Sequence, residues 1–408
     1  MDALAAVEAV ARGSYGRLVA YLSARSCDVA GAEDALSEAL HAALTTWPRD
    51  GVPEKPEAWL LATARRRLID ESRRSEVRER AVPIVQQLME DAPTLDAGEP
   101  FPDERLKLLF ICAHPAIDAG TRTALMLQTV MGLDAARIAS AFLVAPAAMS
   151  QRLVRAKSKI RLAGIPFELP DAAELPARLD AVLDAIYAAY STGWEDAAGS
   201  DPRLNSLTRE AIWLARVLIR LLPDEAEAHG LLSLMLHCEA RRAARRSVAG
   251  DYVPLSEQDT ALWSRPMLEE AERELVAAAA LSLSGRFQLE AAIQSVHSHR
   301  ILTGRTEWNQ IVQLYDELIR RAPTLGALVS RAAAVSEAGK SSEALTALDE
   351  IPPSSVVSYQ SYWAVRAHVL AQAGRQQEAA NAYARAIGLS EDEAVRRFLL
   401  KRSREVRA

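Results

Sequence analysis

The sequence predicts an all-α protein, and three observations lead to that prediction. Half of the 408 residues are hydrophobic, which is ample material for buried cores. Aromatic residues make up only 5% of the chain, and Ala and Leu dominate it. Apolar residues recur at helical spacing in successive segments, whereas few runs show the alternation typical of strands. At about 150 residues per domain, a chain of this length is expected to form two or three domains.

Charge and cysteine content indicate the class of protein. Residues 1–165 hold 21 Lys or Arg and 21 Asp or Glu, whereas residues 166–408 hold 27 and 33. This pattern is typical of a DNA-binding front half and an acidic back half. The chain lacks a signal-peptide pattern and any run approaching about 20 apolar residues, so we expect a cytoplasmic protein. Cys27, Cys112 and Cys238 lie far apart, which indicates free thiols and no zinc site.

The first 80 residues are predicted to begin with two amphipathic helices. The first covers residues 7–24, and the second follows Asp28 and runs to Trp47. Its apolar stripe is expected at four-residue spacing, at Leu36, Leu40 and Leu44. Its outer face is acidic and comprises Glu33, Asp34, Ser37 and Glu38. Taken alone, such a face indicates only a solvated surface.

A loop and a basic helix follow the acidic helix. Residues 48–56 contain too many Pro and Gly residues for a helix, so a loop is predicted there. Residues 57–75, which include Trp59, are expected to form the third helix. Its predicted buried line is Leu60, Leu61, Ala64 and Leu68. The remaining faces are strongly basic, with Arg65, Arg66, Arg67, Arg73 and Arg74.

Residues 122–163 predict a helix-turn-helix. An apolar-periodic helix stops at Gly132, Asp134 is placed to cap a short helix over residues 135–142, and Pro146 opens a third helix after a tight break. The expected buried stripe of this last helix is Met149, Leu153, Ala156 and Ile160. Its other faces carry Ser150, Gln151, Arg152, Arg155, Lys157 and Lys159. This pattern is typical of a helix that enters a DNA major groove, and the alternative is a helical hairpin with a solvated basic face.

These motifs together resemble a known family. The order AEDALSEAL, Trp, broken loop and WLLATARRRLIDESRR resembles region two of bacterial sigma factors. Paired with a helix-turn-helix, it resembles the compact extracytoplasmic-function (ECF) group of the sigma-70 family. The segments PDERLKLLFICAHPAI and FLVAPAAMSQRLVRAKSKIRLAGIPF are similar to one subgroup with a tetratricopeptide-like C-terminal extension. The similarity covers essentially the whole chain.

The resemblance implies a division of the chain into domains. Residues 1–80 would be region two, residues 81–102 an acidic Pro-rich linker, residues 103–165 region four, and residues 166–408 the C-terminal helical domain. The implied function is an RNA polymerase sigma factor that directs promoter-specific initiation of transcription. The implied partners are core RNA polymerase, promoter DNA, and a protein or peptide partner of the C-terminal domain, with no cofactor.

The resemblance also implies a role for each candidate residue. Glu33, Asp34, Ser37 and Glu38 would dock on core polymerase, although relatives commonly have Gln where this chain has Ser37. Trp59, Arg66, Arg67, Arg73 and Arg74 would hold the minus-ten strand, and Trp47 is a further stacking candidate. Ser150, Gln151, Arg152 and Arg155 would contact bases of the minus-thirty-five element, while Lys157 and Lys159 would contact phosphates. Relatives often have Arg at the position of Ser150, so the preferred sequence is in doubt.

The C-terminal half contains a repeat but no catalytic pattern. Ala338-Gly339 and Ala373-Gly374 lie 35 residues apart, as do Ala344 and Ala379, close to the tetratricopeptide period. A further helix pair is predicted at residues 207–222 and 225–246. The spacing of His229, His237 and Cys238 does not match a metal site on a helix, and we expect no enzymatic activity. The alternative function is a helix-turn-helix regulator with a tetratricopeptide-like sensor domain, outside the polymerase holoenzyme; a repeat scaffold with an incidental basic face is a third.

Overall fold

The protein is built from helices, which confirms the predicted all-α fold. The computed structural model describes residues 2–76, 103–142, 144–171, 173–195, 202–281 and 285–407. Within those ranges the β-structure is limited to one isolated bridge, between Arg246 and Tyr252. No helix of the described residues is long and apolar enough to cross a membrane. The linker predicted at residues 81–102 lies outside the described residues. The chain packs as two units, of which the first ends at Val217 and the second begins at Leu218.

The first unit begins with a three-helix bundle. Its helices are α1 (Ala3–Ser26), α2 (Val29–Asp50) and α3 (Pro56–Glu76). Glu57 ties α3 to α1, because its carboxylate accepts hydrogen bonds from the Ser14 hydroxyl and, at 2.6 Å, from the Arg17 guanidinium. The predicted buried line of α3 is confirmed: Leu60, Leu61, Ala64 and Leu68 are all buried.

The apolar stripe of α2 differs from the predicted one. Leu36 is fully buried, but Leu40 is only partly buried and Leu44 is 42% exposed. In a helix of about 3.6 residues per turn, each four-residue step overshoots a full turn by about 40°. Leu44 therefore lies about 80° away from Leu36 and leaves the core. The buried face consists instead of Val29, Ala32, Ala35, Leu36, Ala39, Ala43 and Trp47.

Helix α2 also continues through Pro48, where a loop was predicted. Pro48 lies in the last turn, so its missing N–H removes a single backbone hydrogen bond close to the helix end. The preceding residue, Trp47, is 2% exposed and keeps this turn packed in the core. Gly51 then ends the helix with a φ of 88°, in the region that favours glycine. The loop is thus confined to residues 51–55.

A second group of helices contains the predicted helix-turn-helix. Its members are α4 (Arg105–Cys112), α5 (Ala119–Thr129), α6 (Ala135–Ala141) and α7 (Pro146–Leu162). Almost every residue of α4 is buried, including Phe110 and Cys112, so α4 is the central helix of this group. Burial raises the pKa of the Cys112 thiol to about 12, which leaves this cysteine unreactive.

Two helices beyond the predicted boundary at residue 165 belong to the same unit. They are α8 (Leu175–Glu195) and the first part of α9 (Pro202–Leu221). Helix α8 packs against α5 and α4. The packing of the described residues therefore continues past Ile165 without a break, whereas the predicted domain boundaries remain a prediction.

The second unit is a series of helices and short 3₁₀ turns. Its helices are α10 (Ala226–Glu239), α11 (Arg265–Ala280), α12 (Arg286–Ser298), α13 (Arg300–Thr303), α14 (Trp308–Arg321), α15 (Leu325–Glu337), α16 (Ser341–Asp349), α17 (Pro353–Val356), α18 (Gln360–Gln372), α19 (Gln376–Leu389) and α20 (Glu393–Arg407). The helix predicted at residues 225–246 is shorter than expected, because α10 ends at Glu239 and a 3₁₀ turn occupies Arg242–Arg245.

A carboxylate from one helix caps the start of another in this unit. Glu227 on α10 accepts hydrogen bonds from the backbone N–H groups of Phe287, at 2.9 Å, and Gln288, at 3.1 Å. These N–H groups lie in the first turn of α12, where no intrahelical acceptor is available. Gly230, one turn further along α10, lies so close to Gln288 that a Cβ atom would be 2.7 Å from its backbone nitrogen.

The predicted 35-residue repeat corresponds to two helix pairs, α15–α16 and α18–α19. Gly339 and Gly374 end the first helix of each pair with φ of 86° and 74°, as the Ala-Gly pattern predicted. Ala344 and Ala379, at equivalent places in the second helices, are fully buried. Their small side chains allow the paired helices to approach closely.

An acidic loop of the second unit, which contains Asp251, Glu257 and Asp259, anchors the last helix of the chain. Glu257 pairs with Arg402, and Asp251 lies 3.1 Å from Arg397, both on α20. Asp259 caps a 3₁₀ turn. These carboxylates therefore have structural partners.

Two histidines in the second unit are removed from solvent to different extents: His237 is deeply buried and His297 is partly buried. His237 on α10 is 0% exposed, and its Nδ1 lies 3.1 Å from the Ser298 hydroxyl. Burial, assisted by the charge of Arg241, lowers the pKa of His237 to about 3. Burial and the same arginine lower the pKa of His297 to about 3. Both rings are therefore neutral in the folded protein at neutral pH.

We predict that mild acid destabilises the second unit. An unfolded histidine takes up a proton near pH 6.5, while His237 stays neutral in the folded state down to about pH 3. The free energy of unfolding therefore keeps its full value above about pH 6.5. Below that pH it falls by about 1.4 kcal/mol per pH unit for each such histidine. Urea unfolding at about pH 7.5 and about pH 5 measures this loss. The loss should be smaller in His237→Gln, and an equal loss in that variant would contradict the prediction.

Candidate nucleic-acid interface

The last helix of the predicted helix-turn-helix is α7, and its apolar side holds it in place. Pro146 occupies the first turn, where its missing N–H costs nothing. The predicted stripe of Met149, Leu153, Ala156 and Ile160 is confirmed, because all four side chains are buried. The helix is thereby fixed with its opposite side outward.

The turn before α7 also follows the prediction. The Asp134 carboxylate accepts a hydrogen bond from the N–H of Arg137 at 2.9 Å and caps α6. The N–H of Val144 donates to the carbonyl of Ala139 at 3.0 Å, which closes the tight connection between α6 and α7. The short helix and the recognition helix therefore have the geometry of a helix-turn-helix.

Five of the six residues predicted on the outer side of α7 are exposed. They are Ser150, Gln151, Arg152, Arg155 and Lys159. The three cations line a groove of about 400 Å³ that also borders the start of α5 at Gly120 and Thr121. This surface offers guanidinium, ammonium and amide donors to phosphates and base edges.

Lys157 differs from its neighbours on α7, because it is only 9% exposed. Its ammonium group forms an ion pair with the carboxylate of Glu33 on α2. Burial raises the pKa of Glu33, even though the nearby charge of Lys157 acts in the opposite direction. The expectation that both residues lie on open surfaces is therefore wrong for this arrangement of the first unit.

The other members of the predicted acidic face are accessible. Asp34, Ser37 and Glu38 are exposed along α2. Glu38 lies 3.4 Å from Arg67 on α3, and both side chains are more than half exposed. Such an exposed pair contributes little to stability and leaves both groups open to other partners.

The basic helix α3 presents part of its predicted site. Arg66 and Arg67 are exposed, whereas Trp59 is partly buried. The Trp59 ring packs edge-on against Trp47, with ring centroids 5.6 Å apart and Trp47 buried in the core. Trp47 is therefore a core residue, and Trp59 is the aromatic side chain with an open surface. The side chains of Arg73 and Arg74 lie outside the described residues.

A buried arginine that sequence reasoning missed links α4 to α9. The Arg105 side chain is 10% exposed, pairs with Asp103 at 2.8 Å and with Glu210, and stacks over Trp213 at 4.4 Å. Hydrogen bonds and charges from the two acids raise the pKa of Arg105, although burial has the opposite effect. Only the spacing of Asp103 and Arg105 hinted at this cluster, because Glu210 is more than 100 residues away.

Comparison with known proteins identifies the first part of the chain. Residues 11–78 match the family described as Sigma-70 region 2, and residues 178–279 match a family of unknown function, DUF6596. No solved structure matches the chain. Within the described residues, no group of three or more His, Cys, Asp or Glu is placed to hold a metal ion.

The match to Sigma-70 region 2 supports a sigma factor of the sigma-70 family, a class of non-enzymatic transcription factors. The same match supports a role for this chain in transcription initiation, with core RNA polymerase and promoter DNA as partners. The chain also has a relative of similar length. Over 383 residues it is 40% identical to an uncharacterised protein of Rhizobium meliloti (strain 1021). The alignment covers 92% of this chain and 89% of that relative.

Proposed function

We propose that this chain is an ECF sigma factor whose C-terminal helical region positions or regulates its two DNA-binding parts. The main support is the presence of a region-two bundle and a helix-turn-helix with an exposed basic side in one compact unit. In this proposal α1–α3 dock on core polymerase and hold the minus-ten strand. Helix α7 recognises the minus-thirty-five element.

The polymerase-docking surface is assigned to the acidic side of α2. Asp34, Ser37 and Glu38 are exposed opposite the buried face of the same helix, and Glu33 continues the row. A row of carboxylates favours a basic partner and speeds its approach. The proposed partner surface is therefore a basic helical element of core polymerase.

The minus-ten surface is assigned to α3. Trp59, with Arg66 and Arg67 about two turns later, combines an aromatic ring with exposed cations. Such a combination suits an unpaired strand, because bases stack on the ring while guanidinium groups neutralise phosphates. Arg73 and Arg74 would extend the basic track along the strand.

The minus-thirty-five surface is assigned to the first half of α7. Ser150, Gln151 and Arg152 lie near its N-terminus, which is the end of a recognition helix that contacts base edges. Arg155 lies one turn further, and Lys159 is proposed to bind phosphate. Arg and Gln can make paired hydrogen bonds to bases, whereas Lys acts as a point charge.

The C-terminal region is proposed to act first on region four. Helix α8 covers α5 and α4, and Glu210 with Trp213 on α9 holds Arg105 at the start of α4. These contacts fix the first helix of region four and leave the basic side of α7 exposed. We propose that they position region four, and that the tetratricopeptide-like helix pairs of the second unit bind a protein or peptide partner.

Run-off transcription with core polymerase and a genomic fragment library tests the function. The full chain is expected to direct specific transcripts, and Asp34→Lys with Glu38→Lys should abolish both transcription and co-purification with core polymerase. The reason is that two exposed carboxylates become like charges against a basic partner. The paired variant should unfold at the same urea concentration as the wild type. DNA binding without any polymerase-dependent transcript would favour the helix-turn-helix regulator.

We predict that base and phosphate contacts on α7 respond differently to substitution. Arg152→Ala or Arg155→Ala should cost about 1–3 kcal/mol on the preferred sequence and relax preference at one upstream position. Lys159→Ala should weaken binding to all sequences alike and reduce the salt slope by about one unit. Titration of promoter and scrambled duplexes at several salt concentrations separates the two effects. Identical behaviour of all three variants would refute the assignment.

We predict that Glu210→Lys impairs transcription through the position of region four. The new charge opposes Arg105 and loosens α9, so run-off transcription should fall about fivefold or more while duplex binding is retained. Arg209→Glu reverses the charge of the adjacent exposed residue and serves as the control. Tighter duplex binding by Glu210→Lys would instead indicate that the C-terminal region shields the DNA-binding surface. Unchanged transcription and binding would exclude both roles for this contact.

A further inference from the structure

Two ion pairs join α2 of the three-helix bundle to α7 of the helix-turn-helix. The Glu33 carboxylate binds the Lys157 ammonium, and the two side chains are only 13% and 11% exposed. One turn further along α7, Arg161 Nη1 lies 3.2 Å from Asp28 Oδ2 at the start of α2. The two basic side chains of α7 therefore engage one end of the acidic row on α2.

A close backbone approach lies beside these ion pairs. Gly16 on α1 packs on the end of α5, where a Cβ atom would lie 1.8 Å from the carbonyl oxygen of Val130. The neighbouring Tyr15 lies against Gly132. Burial, with the negative charges of Glu33 and Asp34, raises the pKa of Tyr15. The Tyr15 ring therefore lies near both the backbone contact and the acidic row.

The Glu33–Lys157 pair is specific but gives little net stability. Burial is the largest influence on the pKa of Glu33 and raises it, whereas the charge and hydrogen bond of Lys157 lower it. A buried ion pair of this kind is close to neutral overall, although removal of one partner leaves an uncompensated charge. Another cation that meets Glu33 can therefore replace Lys157 at small cost.

We propose that Lys157 and Arg161 are internal competitors for the polymerase-docking side of α2, and that they hold the free protein closed until core polymerase displaces them. This inference rests on the proposed function, which assigns Glu33 to polymerase and Lys157 to DNA phosphate. In the free protein Glu33 and Lys157 bind each other. Glu33 is therefore available to polymerase, and Lys157 to DNA, only when this ion pair is broken. Polymerase that binds Glu33 exposes Lys157 for DNA, and DNA that binds Lys157 frees Glu33 by the same factor.

The test measures the affinity of the labelled full chain for core polymerase in the absence of DNA. Lys157→Gln removes the competitor, and we expect binding about tenfold tighter, within the range of about 5- to 150-fold typical of such couplings. Lys107→Gln removes the same charge on α4, at a side chain that is 40% exposed, and should bind like the wild type. Arg161→Glu, at a side chain that is 61% exposed, should also tighten binding, with little risk to folding.

The outcomes are distinguishable. Tighter binding by Lys157→Gln and Arg161→Glu, with no change in Lys107→Gln, supports competition. If Lys157→Gln fails to fold, Arg161→Glu alone decides between the same results. Affinity equal to that of the control, or weaker, in the folded variants overturns the competition but leaves the sigma-factor function intact. If the wild type and every variant fail to bind core polymerase, the proposed function itself fails and the competition fails with it.

Discussion

The first unit depends on the close approach of α1 to the end of α5. Only a residue without a side chain fits between the two backbones, because any Cβ atom at Gly16 would overlap the carbonyl oxygen of Val130. This contact sets the separation of the three-helix bundle and the helix-turn-helix. At that separation Lys157 forms an ion pair with Glu33, and Arg161 forms one with Asp28. The interface therefore contains two ion pairs in addition to its backbone contact.

This arrangement places the two halves of α7 in different surroundings. In its first half Ser150, Gln151, Arg152 and Arg155 are exposed and carry groups suited to DNA. Lys157, in its second half, is turned toward α2 and is buried there with Glu33. A buried ion pair contributes almost no net free energy of stabilisation. The contact between α2 and α7 is therefore stabilised mainly by packing, and the Glu33–Lys157 pair determines its specificity. The Glu33–Lys157 pair can therefore separate when a partner binds either residue, while the cores of the three-helix bundle and of the helix-turn-helix group stay intact.

The C-terminal half uses a different principle, because small residues and structural carboxylates organise it. Fully buried Ala344 and Ala379 let the repeat helices approach, and Glu227 satisfies the free N–H groups of α12. Polar groups of this half have structural roles: His237 is a neutral core residue, and Glu257 anchors the last helix.

The sequence by itself determined the local features of the fold. Helical periodicity placed the buried rows of α3 and α7, and Asp134, Pro146 and Gly339 marked helix ends because capping and backbone preference are local effects. Tertiary structure alone decided which charged groups meet. Glu33 and Lys157 are 124 positions apart, and Arg105 and Glu210 are 105 apart, so no spacing rule could pair them. The exposure of Leu44, by contrast, follows from helix geometry, because each four-residue step turns the side chain about 40° further from the buried face of Leu36.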